Sequence, residues 1–557
     1  MKRPIINAGS VALLVCLLGG CAGGSGGGGT ETSAPVITTQ PANQAVTVGQ
    51  PAAFSVAASG TAPLSYKWQK NGADISGAIS ASYTTPATTQ ADDGATFRAI
   101  VSNTAGSATS NSATLTVNST TAGTDVTTYK NDLARTGQNL TETILTTANV
   151  NATSFGLLRK LAVTGKVDAQ PLYLSQLAVS GSLHNVVFVV TEHDQVYAFD
   201  ADTGATLWNV SVAGAGETPS DDRGCNQVSP EIGVTATPVI DRHAGTHGVI
   251  YVVAMTKDSQ GNHHQRLHAL DVTTGAELFN GPKEIQATFP NATGQTTFAP
   301  GQYKERPGLL LLNGFVYLSF SSHCDGGPYT GWIMGYDQTT LARTSVLNIG
   351  PNGGGPSIWM SGGAPAADAA GNIYLLAANG TFETTLDTNG FPNLGDFGNS
   401  FVKISTANNT LKVADYFAMS NEVSESNGDV DLGSGGAMLL PDMTDSGGTV
   451  QHLAVGAGKD SNIYVVSRDA MGKFSPASNN IWQEIAGALP GGIWSTPAYF
   501  NRTVYYGGRR RFPQGFRDFG RQAWAFPEFT DGQDVSVPWN GAGRLRERHV
   551  KRNRLGA

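Results

Sequence analysis

Charged side chains and cysteines are scarce in this chain of 557 residues. Only 14% of the residues are Asp, Glu, Lys or Arg, and the formal net charge is −8. An acidic chain lacks the basic surface that binding to nucleic-acid phosphates requires, so we expect no nucleic-acid partner. Glycine, in contrast, is abundant, with 69 residues. This composition favours short strands joined by tight turns over long helices.

The N-terminus has the pattern of an export signal. A basic start precedes an apolar run at residues 11–18, which is shorter than the ~20 residues of a membrane-spanning helix. The sequence Leu-Gly-Gly-Cys that ends at Cys21 resembles a lipobox. We therefore expect residues 1–21 to be a lipoprotein signal, Cys21 to be acylated, and the Gly- and Ser-rich residues 22–34 to be a flexible tether. An ordinary cleaved signal with a chance cysteine is the alternative.

This reading predicts an exported protein anchored by lipid in the cell envelope. Ala22, which follows the cysteine, fits sorting to the outer membrane in a Gram-negative cell. The expected partners are then the membrane, through the anchor, and an envelope protein or glycan. The oligomeric state is left open.

Residues 35–118 contain about seven short strand patterns. Leu64-Ser-Tyr-Lys-Trp68 is followed by a Lys-Asn-Gly turn, and this stretch resembles the third strand of bacterial immunoglobulin-like modules. Val56 and Ala99 stand where that fold usually has its cysteines, and Phe97 stands in place of the corner tyrosine. The resemblance implies a β-sandwich that packs around Trp68 without a disulfide. We expect it to act as a spacer, an adhesive module being the alternative, and residues 119–127 to be a linker.

A hairpin motif recurs along the rest of the chain. Residues 195–208 read Gln-Val-Tyr-Ala-Phe-Asp-Ala-Asp-Thr-Gly-Ala-Thr-Leu-Trp, in which two strand patterns flank an Asp-x-x-Thr-Gly turn. The motif returns at residues 267–275 and, more loosely, at residues 333–341. Each unit begins with a strand marked by Pro, as at Pro171 and Pro238, except one unit that reads Gly435-Gly-Ala-Met438. Four strands per unit, repeated at a roughly fixed period, predict an all-β propeller over residues 128–508.

The signature at residues 198–208, Ala-x-Asp-x-x-Thr-Gly-x-x-Leu-Trp, is similar to that of quinoprotein-like (PQQ-type) β-propeller repeats. The resemblance implies four-stranded blades, of which we expect five to be complete and a sixth to be begun. It also implies that a strand preceding the first unit completes the last blade and closes the ring. Proteins with this fold have many different activities, so the fold alone does not identify the activity of this chain.

The repeat pattern stops after residue 508. Residues 509–517 read Arg-Arg-Arg-Phe-Pro-Gln-Gly-Phe-Arg and match no strand of the repeat. With suitable synonymous codons and the first base dropped, they become Val-Gly-Asp-Phe-Leu-Lys-Ala-Phe-Ala, which restores the expected strand. We therefore interpret residues 509–557 as a frameshifted tail that does not fold onto the propeller. A genuine basic tail is the alternative, and a truncated product without function is a possible consequence.

Two cysteines remain after the signal. Cys225 and Cys324 lie in long loops of neighbouring units. Outside the cytoplasm such a pair usually forms a disulfide, and we expect one here. No zinc site is predicted, because no second Cys or His stands at ligand spacing from His323.

The PQQ-dependent dehydrogenases of the resembling family use an adjacent cysteine pair, a Trp platform, calcium and an Asp base. This chain has no Cys-Cys pair and no haem motif, so we expect neither catalysis nor a resident cofactor. PQQ with calcium is kept as the alternative, in an oxidoreductase acting on sugars or alcohols.

The leading function is therefore binding or scaffolding at the cell envelope. A ligand site would lie where the loops of the ring converge, and polar or aromatic side chains of those loops are the candidates. These candidates are His193, Asp194, Glu231, His323, Asp325, Trp359, Asp431 and Lys459. For each of them, a structural role in a turn is the competing interpretation.

Overall fold

The computed structural model describes residues 32–47, 51–86, 88, 90–118, 124–146, 148–153, 155–445, 447–507 and 514–517. It divides into two compact units, Met1–Thr121 and Ala122–Ala557. The predicted signal, Cys21, most of the tether and residues 518–557 lie outside the described residues.

Both units are built almost entirely from strands. The helices of the described part are short: one α-helix at Glu422–Asn427 and 3-10 turns at Gln90–Asp92, Met360–Gly362, Ala407–Asn409 and Leu432–Ser434. In these ranges no helix has the length and hydrophobicity that a membrane crossing requires. The predicted all-β class is confirmed.

The first unit is a β-sandwich. Its strands are Val36–Thr39, Gln44–Thr47, Ala53–Ser55, Ala57–Ser59, Ser65–Lys70, Ala73–Asp74, Ser82–Thr84, Thr96–Asn103, Gly106–Thr109 and Ala113–Asn118. Trp68 is completely buried and donates its indole N–H to the carbonyl of Ser80 at 3.0 Å. Phe97 stacks on Phe54 with ring centroids 4.5 Å apart. Aromatic packing around Trp68 thus fills the core where the usual cysteines are missing, as predicted.

The second unit contains six successive antiparallel sheets, which we number 1 to 6 in chain order. Sheets 1, 3, 4 and 5 have four strands, sheet 2 has four that the connecting strands Thr218–Asp221 and Glu231–Ile232 extend to six, and sheet 6 has three among the described residues. The strands are Leu172–Val179, Ser182–Val190, Gln195–Asp200 and Thr206–Ser211 in sheet 1; Val239–Asp241, Val249–Lys257, His263–Asp271 and Lys283–Glu284 in sheet 2; Leu310–Leu312, Phe315–Ser319, Trp332–Asp337 and Arg343–Asn348 in sheet 3; Ala366–Ala367, Asn372–Leu376, Ser400–Ser405 and Lys412–Ala418 in sheet 4; Met438–Leu439, Leu453–Ala457, Ile463–Ser467 and Gln483–Ile485 in sheet 5; and Ala498–Phe500, Thr503–Tyr506 and Gln514–Arg517 in sheet 6. Short strand pairs in the connections are Thr218–Asp221 with Glu231–Ile232, Thr288–Asn291 with Gly294–Thr297, Tyr303–Lys304 with Ser321–Ser322, and Met443–Thr444 with Val450–Gln451.

The predicted hairpin is the third and fourth strand of sheet 1. Asp200 holds the turn, because its carboxylate accepts the backbone N–H of Thr203 at 2.6 Å and its carbonyl accepts that of Gly204 at 2.8 Å. Gly204 has a φ of +79°, the left-handed backbone that favours glycine. The same Asp-centred turn recurs at Asp271 and Asp337. The repeated sequence motif therefore encodes a repeated turn.

Neighbouring sheets pack face to face. Each consecutive pair shares a cluster of buried apolar side chains. Each interface, taken in chain order, is represented by one pair of residues from its cluster: Phe188 and Ile250, Val253 and Leu318, Ile333 and Leu375, Leu376 and Val466, and Val465 and Val504. Five such interfaces connect the six sheets in series.

One segment before sheet 1 shows that the sheets are arranged around a centre. We call residues 125–138 the central segment. Its backbone hydrogen-bonds at 2.8–2.9 Å to the first strands of sheets 1, 2, 4, 5 and 6, at Tyr173, Ile240, Ala367, Leu439 and Tyr499. In a linear stack each repeat contacts only its neighbours. A segment that reaches five of six sheets requires a radial arrangement, so the sheets form a propeller with their first strands innermost.

The central segment lies at the centre of the ring, where Thr136 accepts a hydrogen bond from the N–H of Tyr499 in the inner strand of sheet 6. The expectation that a strand before the first unit completes the last blade stays a prediction, because only three strands of sheet 6 lie among the described residues. Arg135 fixes the segment: it is completely buried and donates hydrogen bonds to the carbonyl of Pro365 at 2.9 Å and to Thr128 Oγ1 at 2.7 Å.

Sheet 6 corrects one expectation, that residues from 509 onward do not fold onto the propeller, for the part of that stretch that the structure describes. Gln514–Arg517 pairs antiparallel with Thr503–Tyr506. Strand pairing uses backbone groups that every residue but proline carries. A segment without the repeat's apolar pattern can therefore still occupy the third position of the sheet.

Candidate functional site

The predicted site residues share one side of the propeller. In each antiparallel sheet, the connection from the second to the third strand and the connection to the next sheet end on the same side. We call this side the loop face; the Asp-centred turns lie on the opposite side. All eight predicted residues stand in loop-face connections: His193, Asp194, Glu231, His323, Asp325, Trp359, Asp431 and Lys459. The structure does not bring them together into one site but divides them into smaller groups.

The first group lies between sheets 1 and 2. His193 Nδ1 is 2.9 Å from Glu231 Oε1, which ties the two connections together. Asp194 is completely buried, and neither oxygen of its carboxylate has a hydrogen-bond partner within the described part of the chain. Burial raises the pKa of Asp194 to about 8, and the neighbouring carboxylates of Glu192 and Glu231 act in the same direction.

The second group lies between the second and third strands of sheet 3, and its side chains stabilise that connection. His323 is buried, with Nε2 3.1 Å from the carbonyl oxygen of Tyr303, and burial lowers its pKa to about 4. Asp325 accepts a hydrogen bond from the Tyr329 hydroxyl at 2.8 Å. Cys324, between them, is bonded to Cys225 with Sγ atoms 1.99 Å apart. The bridge spans 99 residues and joins the loops of neighbouring units, which is the pairing that the sequence analysis expects.

The third group lies between sheets 4 and 5. Lys459 Nζ is 2.5 Å from Asp431 Oδ2 and 2.9 Å from Asp429 Oδ1. Asp431 also accepts the backbone N–H of Asn379 at 2.7 Å. Lys459 thus pairs with two carboxylates and holds two connections together, so the turn-stabilising interpretation fits Asp431 and Lys459 better than ligand binding.

Trp359 belongs to a cluster that the sequence analysis missed. The charged cluster, as we call it, comprises Asp168, Glu192, Lys304, Arg306 and Trp359 from the loop face of sheets 1 to 4. The Arg306 guanidinium lies 5.5 Å from the centroid of the Trp359 ring.

The two acidic side chains of the charged cluster differ: burial favours the protonated form of one, and the other forms an ion pair. Glu192 is completely buried; it accepts the N–H of Gly233 at 2.9 Å and the Thr235 hydroxyl at 3.0 Å, while its Oε1 has no partner among the described residues. Burial raises the pKa of Glu192 to about 8, and the Asp168 carboxylate adds to that rise. Asp168 itself forms an ion pair with Lys166 at 2.8 Å.

The basic half is not neutralised. Lys304 is 1% exposed, and its nearest acceptor is Gln227 Oε1 at 3.5 Å. Burial lowers the pKa of Lys304 to about 8, and Arg306 acts in the same direction. No oxygen of the described residues accepts a hydrogen bond from the Arg306 guanidinium, and burial lowers the pKa of that group as well. Lys304 and Arg306 thus lie near each other without a hydrogen-bonded counterion among the described residues, and Arg306 lies beside the Trp359 ring. The Asp168 carboxylate partly opposes the lowering of both pKa values.

A local signal for this cluster exists in the sequence. Residues 304–306 read Lys-Glu-Arg directly before Pro307, at the start of a buried inner strand. Charged residues rarely enter a buried strand without a partner or a function. Glu305 is likewise buried, with both oxygens lacking a partner in the described structure, and burial raises its pKa well above the usual range.

The cavity on the opposite side of the propeller is a weaker candidate. Its volume is ≈ 480 Å³, and its lining includes Asp125, Arg242 and Gln338. Asp125 and Arg242 form an ion pair at 2.5 Å, and Gln338 donates to Asp241 at 3.0 Å. The charged groups of this lining are already satisfied, so they offer nothing specific to a ligand.

The residues do not fit the cofactor set that the resemblance implies. That set requires adjacent cysteines, but Cys225 and Cys324 are 99 residues apart and bonded to each other. Within the described ranges, no group of three or more His, Cys, Asp or Glu side chains is placed to hold a metal ion. Of that set, the Trp alone has a counterpart among the described residues of the charged cluster, and we assign no reaction step to a quinone or to calcium.

Residues 34–117 match the family model of the immunoglobulin domain. A chimeric titin Z1Z2 structure is 27% identical, covers 16% of this chain and 99% of its own, and has a TM-score of 0.14. No curated protein sequence matches the chain.

Two quinohemoprotein alcohol dehydrogenases are among the similar solved structures. The one from Comamonas testosteroni is 17% identical with a TM-score of 0.45, covering 72% of this chain and 59% of its own. The one from Pseudomonas putida HK5 is 15% identical with a TM-score of 0.45, covering 69% of this chain and 56% of its own. The match thus spans less than three fifths of the dehydrogenase chains. This protein therefore has an immunoglobulin-like domain at residues 34–117 and is similar, distantly, to quinoprotein dehydrogenases in its propeller.

Proposed function

We propose that this protein is a cell-envelope binding protein that captures a carboxylate-bearing ligand at the charged cluster. In this proposal Cys21 carries the lipid anchor at the outer membrane, and the immunoglobulin-like domain is a spacer. The propeller is the binding module and performs no catalysis. The observation that carries the proposal is the Arg306 guanidinium, half-buried against Trp359 and without a hydrogen-bond acceptor in the described structure.

The charge balance favours an anion. With its pKa near 8, Glu192 is largely protonated at neutral pH, and Asp168 is already paired with Lys166. Lys304 and Arg306 are therefore the unneutralised charges of the cluster. Arg is suited to carboxylates because its planar N–H groups match the two carboxylate oxygens.

The Trp359 ring adds selectivity for ligand shape. The ring lies on one side of the Arg306 guanidinium, 5.5 Å from its carbon, and so limits the directions in which its hydrogen-bond donors can point. A preorganised donor loses little conformational entropy on binding. A charge-assisted hydrogen bond contributes about 1.5–3 kcal/mol, which corresponds to roughly a 10- to 100-fold change in affinity.

Calorimetric titration of the full chain tests the proposal. The probes are glucuronate, benzoate and citrate, with glucose and benzamide as neutral counterparts. We expect an acidic probe to bind with an affinity that falls as salt rises, and Arg306→Gln to weaken binding roughly 10- to 100-fold. Arg343→Gln, at an exposed arginine of sheet 3, is the matched control and should leave the affinity unchanged.

Two results would overturn the proposal. One is binding that is equally tight in the Arg306→Gln protein. The other is reduction of an electron-accepting dye by the chain supplied with PQQ, calcium and an alcohol, which would identify an oxidoreductase instead.

A further inference from the structure

A connection between sheets 1 and 2 lies over part of the charged cluster. We call residues 222–230 the strap; they stand on the loop face between the paired strands Thr218–Asp221 and Glu231–Ile232. Gln227 is an exposed residue of the strap, and its Oε1 lies 3.5 Å from the Nζ of Lys304. Lys304 itself is 1% exposed. The strap therefore covers the ammonium group of Lys304.

A disulfide joins the strap to a fixed point of sheet 3. Cys225 of the strap is bonded to Cys324, which stands between the second and third strands of that sheet. The neighbouring His323 is buried, with Nε2 3.1 Å from the carbonyl oxygen of Tyr303. Because Tyr303 directly precedes Lys304, this contact holds Cys324 close to the lysine.

The strap depends on the bridge for its position over Lys304. Some of its hydrogen bonds are internal, as between the Cys225 N–H and the carbonyl of Asp222 at 2.9 Å. Among the described residues, its hydrogen bonds towards the chain that leads into sheet 3 are one from exposed Arg223 to the carbonyl of Gly301 at 3.1 Å and the Gln227 contact. Exposed polar contacts contribute little to stability, so the covalent bond is the main link.

The far end of the strap is held independently of the bridge. Val228 is buried and packs with Ile232 and with Met255 of sheet 2. Both ends of the strap also continue into paired strands. Cleavage of the disulfide therefore frees residues 223–227, which include Gln227, while sheet 2 stays folded.

The bridge is accessible to a reductant. Cys324 is exposed and Cys225 is partly exposed. Disulfides are opened by attack of a thiolate on one sulfur, so an exposed bridge can be reached by a dithiol. One dithiol supplies the two electrons and two protons that convert the bond into two cysteine thiols, and it closes to its own cyclic disulfide.

An uncovered Lys304 adds a second cation to the accessible part of the cluster. It stands two residues before Arg306, and the Asp168 carboxylate acts on the pKa of both groups, which places them near the same carboxylate. Two residues of extended chain span at most about 7 Å. Two carboxylates of one small ligand can bridge that spacing.

We propose that the strap closes Lys304 off while the Cys225–Cys324 bond is intact, and that reduction of this bond by a dithiol opens the strap and converts the charged cluster from a site for one carboxylate into a site for two. The ligand in this inference rests on the proposed function, since Arg306 holds the first carboxylate. The shielding of Lys304 does not, because it follows from the contact with Gln227 and from the bridge.

Amine labelling of the full chain, read by mass spectrometry, measures the shielding. With the bridge intact, acylation of Lys304 by a succinimidyl ester should be slow compared with that of exposed Lys412, and a dithiol should accelerate it at least ~10-fold. Lys130 reports unfolding, because its ammonium donates to the carbonyls of Thr496 and Pro497, and its labelling should stay constant. Acylation of Lys304 that is unchanged by reduction, or that rises only together with that of Lys130, overturns the proposal.

Two variants separate the strap from other effects of reduction. Cys225→Ser with Cys324→Ser should label Lys304 as fast as the reduced parent does. Gln227→Ala keeps the bridge but removes the covering side chain, so it should also accelerate the labelling, by a smaller factor. Gln227→Ala decides the matter if the double variant does not fold, and a rate equal to that of the parent would show that the strap does not cover Lys304.

Calorimetric titration tests the ligand. Benzoate, with one carboxylate, should bind the oxidised and the reduced protein equally, whereas isophthalate, with two, should bind the reduced protein roughly 10-fold more tightly, and Lys304→Gln should remove that gain. Equal affinity of isophthalate for both forms overturns the site for two carboxylates and leaves the proposed function standing. Failure of both probes to bind either form refutes the proposed function and this ligand together, and the labelling then decides on the strap alone.

Discussion

Replacing Arg135 by Met should destabilise the propeller while leaving the immunoglobulin-like domain intact. Arg135 is completely buried in the central segment. Its guanidinium donates to the carbonyl of Pro365 in sheet 4, and to Thr128 Oγ1 and the carbonyls of Tyr129 and Asp132 within the segment, at 2.7–3.1 Å. Met fills much of the volume of the arginine stem but donates no hydrogen bond.

Two effects of opposite sign set the magnitude. Hydrogen bonds from a charged donor contribute about 1.5–3 kcal/mol each, and their acceptors would be left buried. Against this, burial lowers the pKa of Arg135 to about 10, which shows that its charge is costly inside the protein. Replacing the buried guanidinium by an uncharged Met side chain removes that cost, and this offsets part of the free energy lost with the hydrogen bonds. We expect a net decrease of about 3 kcal/mol in the free energy of unfolding, within the range for breaking a buried polar network.

Calorimetry of the full chain can detect this change. The chain forms two compact units, so the immunoglobulin-like domain provides an internal reference. For a large domain, a loss of about 3 kcal/mol lowers the melting temperature by roughly 5 °C. Arg343→Met is the control at an exposed site. A shift of less than about 1 °C from Arg135→Met would refute the view that the central segment holds the sheets together.

Two further predictions concern pH and the disulfide. The pKa values of buried Glu192 and Asp194 are raised to about 8, so both carboxyls are protonated in the folded protein at pH values where the unfolded chain is already ionised. The contribution of these two carboxyls to the free energy of unfolding is largest below their pKa in the unfolded chain, about 4.5. It decreases as the pH rises from there towards 8. The melting temperature should therefore fall between pH 6 and pH 9, and Glu192→Gln with Asp194→Asn should flatten that fall; an unchanged slope would contradict the assignment. Cys225→Ser with Cys324→Ser opens a bridge that closes 99 residues and should cost the propeller about 2–5 kcal/mol, measured by thermal unfolding, while the immunoglobulin-like domain melts as before. Reduction of the parent protein should reproduce the effect, and a melting curve that is insensitive to both treatments would show that the bridge does not contribute.

The repeated elements were predictable from the sequence because their signals are local. The turn at Asp200 depends on residues three and four positions away, so the motif alone reveals it. The core around Trp68 was predictable because residues 64–68 resemble the third strand of immunoglobulin-like modules, which carries a buried Trp. The number of complete sheets followed from counting copies of these motifs.

Features that depend on distant contacts were not predictable. The central segment carries no repeat motif, and its partners range from Tyr173 to Tyr499. Arg306 and Trp359 are brought together only by the packing of sheets 3 and 4. Asp431 and Lys459 were singled out as binding residues because the sequence does not show that they neutralise each other.

The position of the central segment has a consequence for biosynthesis. The ribosome makes this segment before any of the sheets it contacts. The hydrogen bond of 2.8 Å between Tyr129 and Thr496, for example, joins residues that are 367 positions apart, so it can form only after Thr496 has been synthesised. Contacts so far apart in sequence form slowly, and until then the inner edges of early sheets stay exposed to other chains. The contacts of the central segment are therefore completed last, after the chain has been synthesised as far as Tyr499.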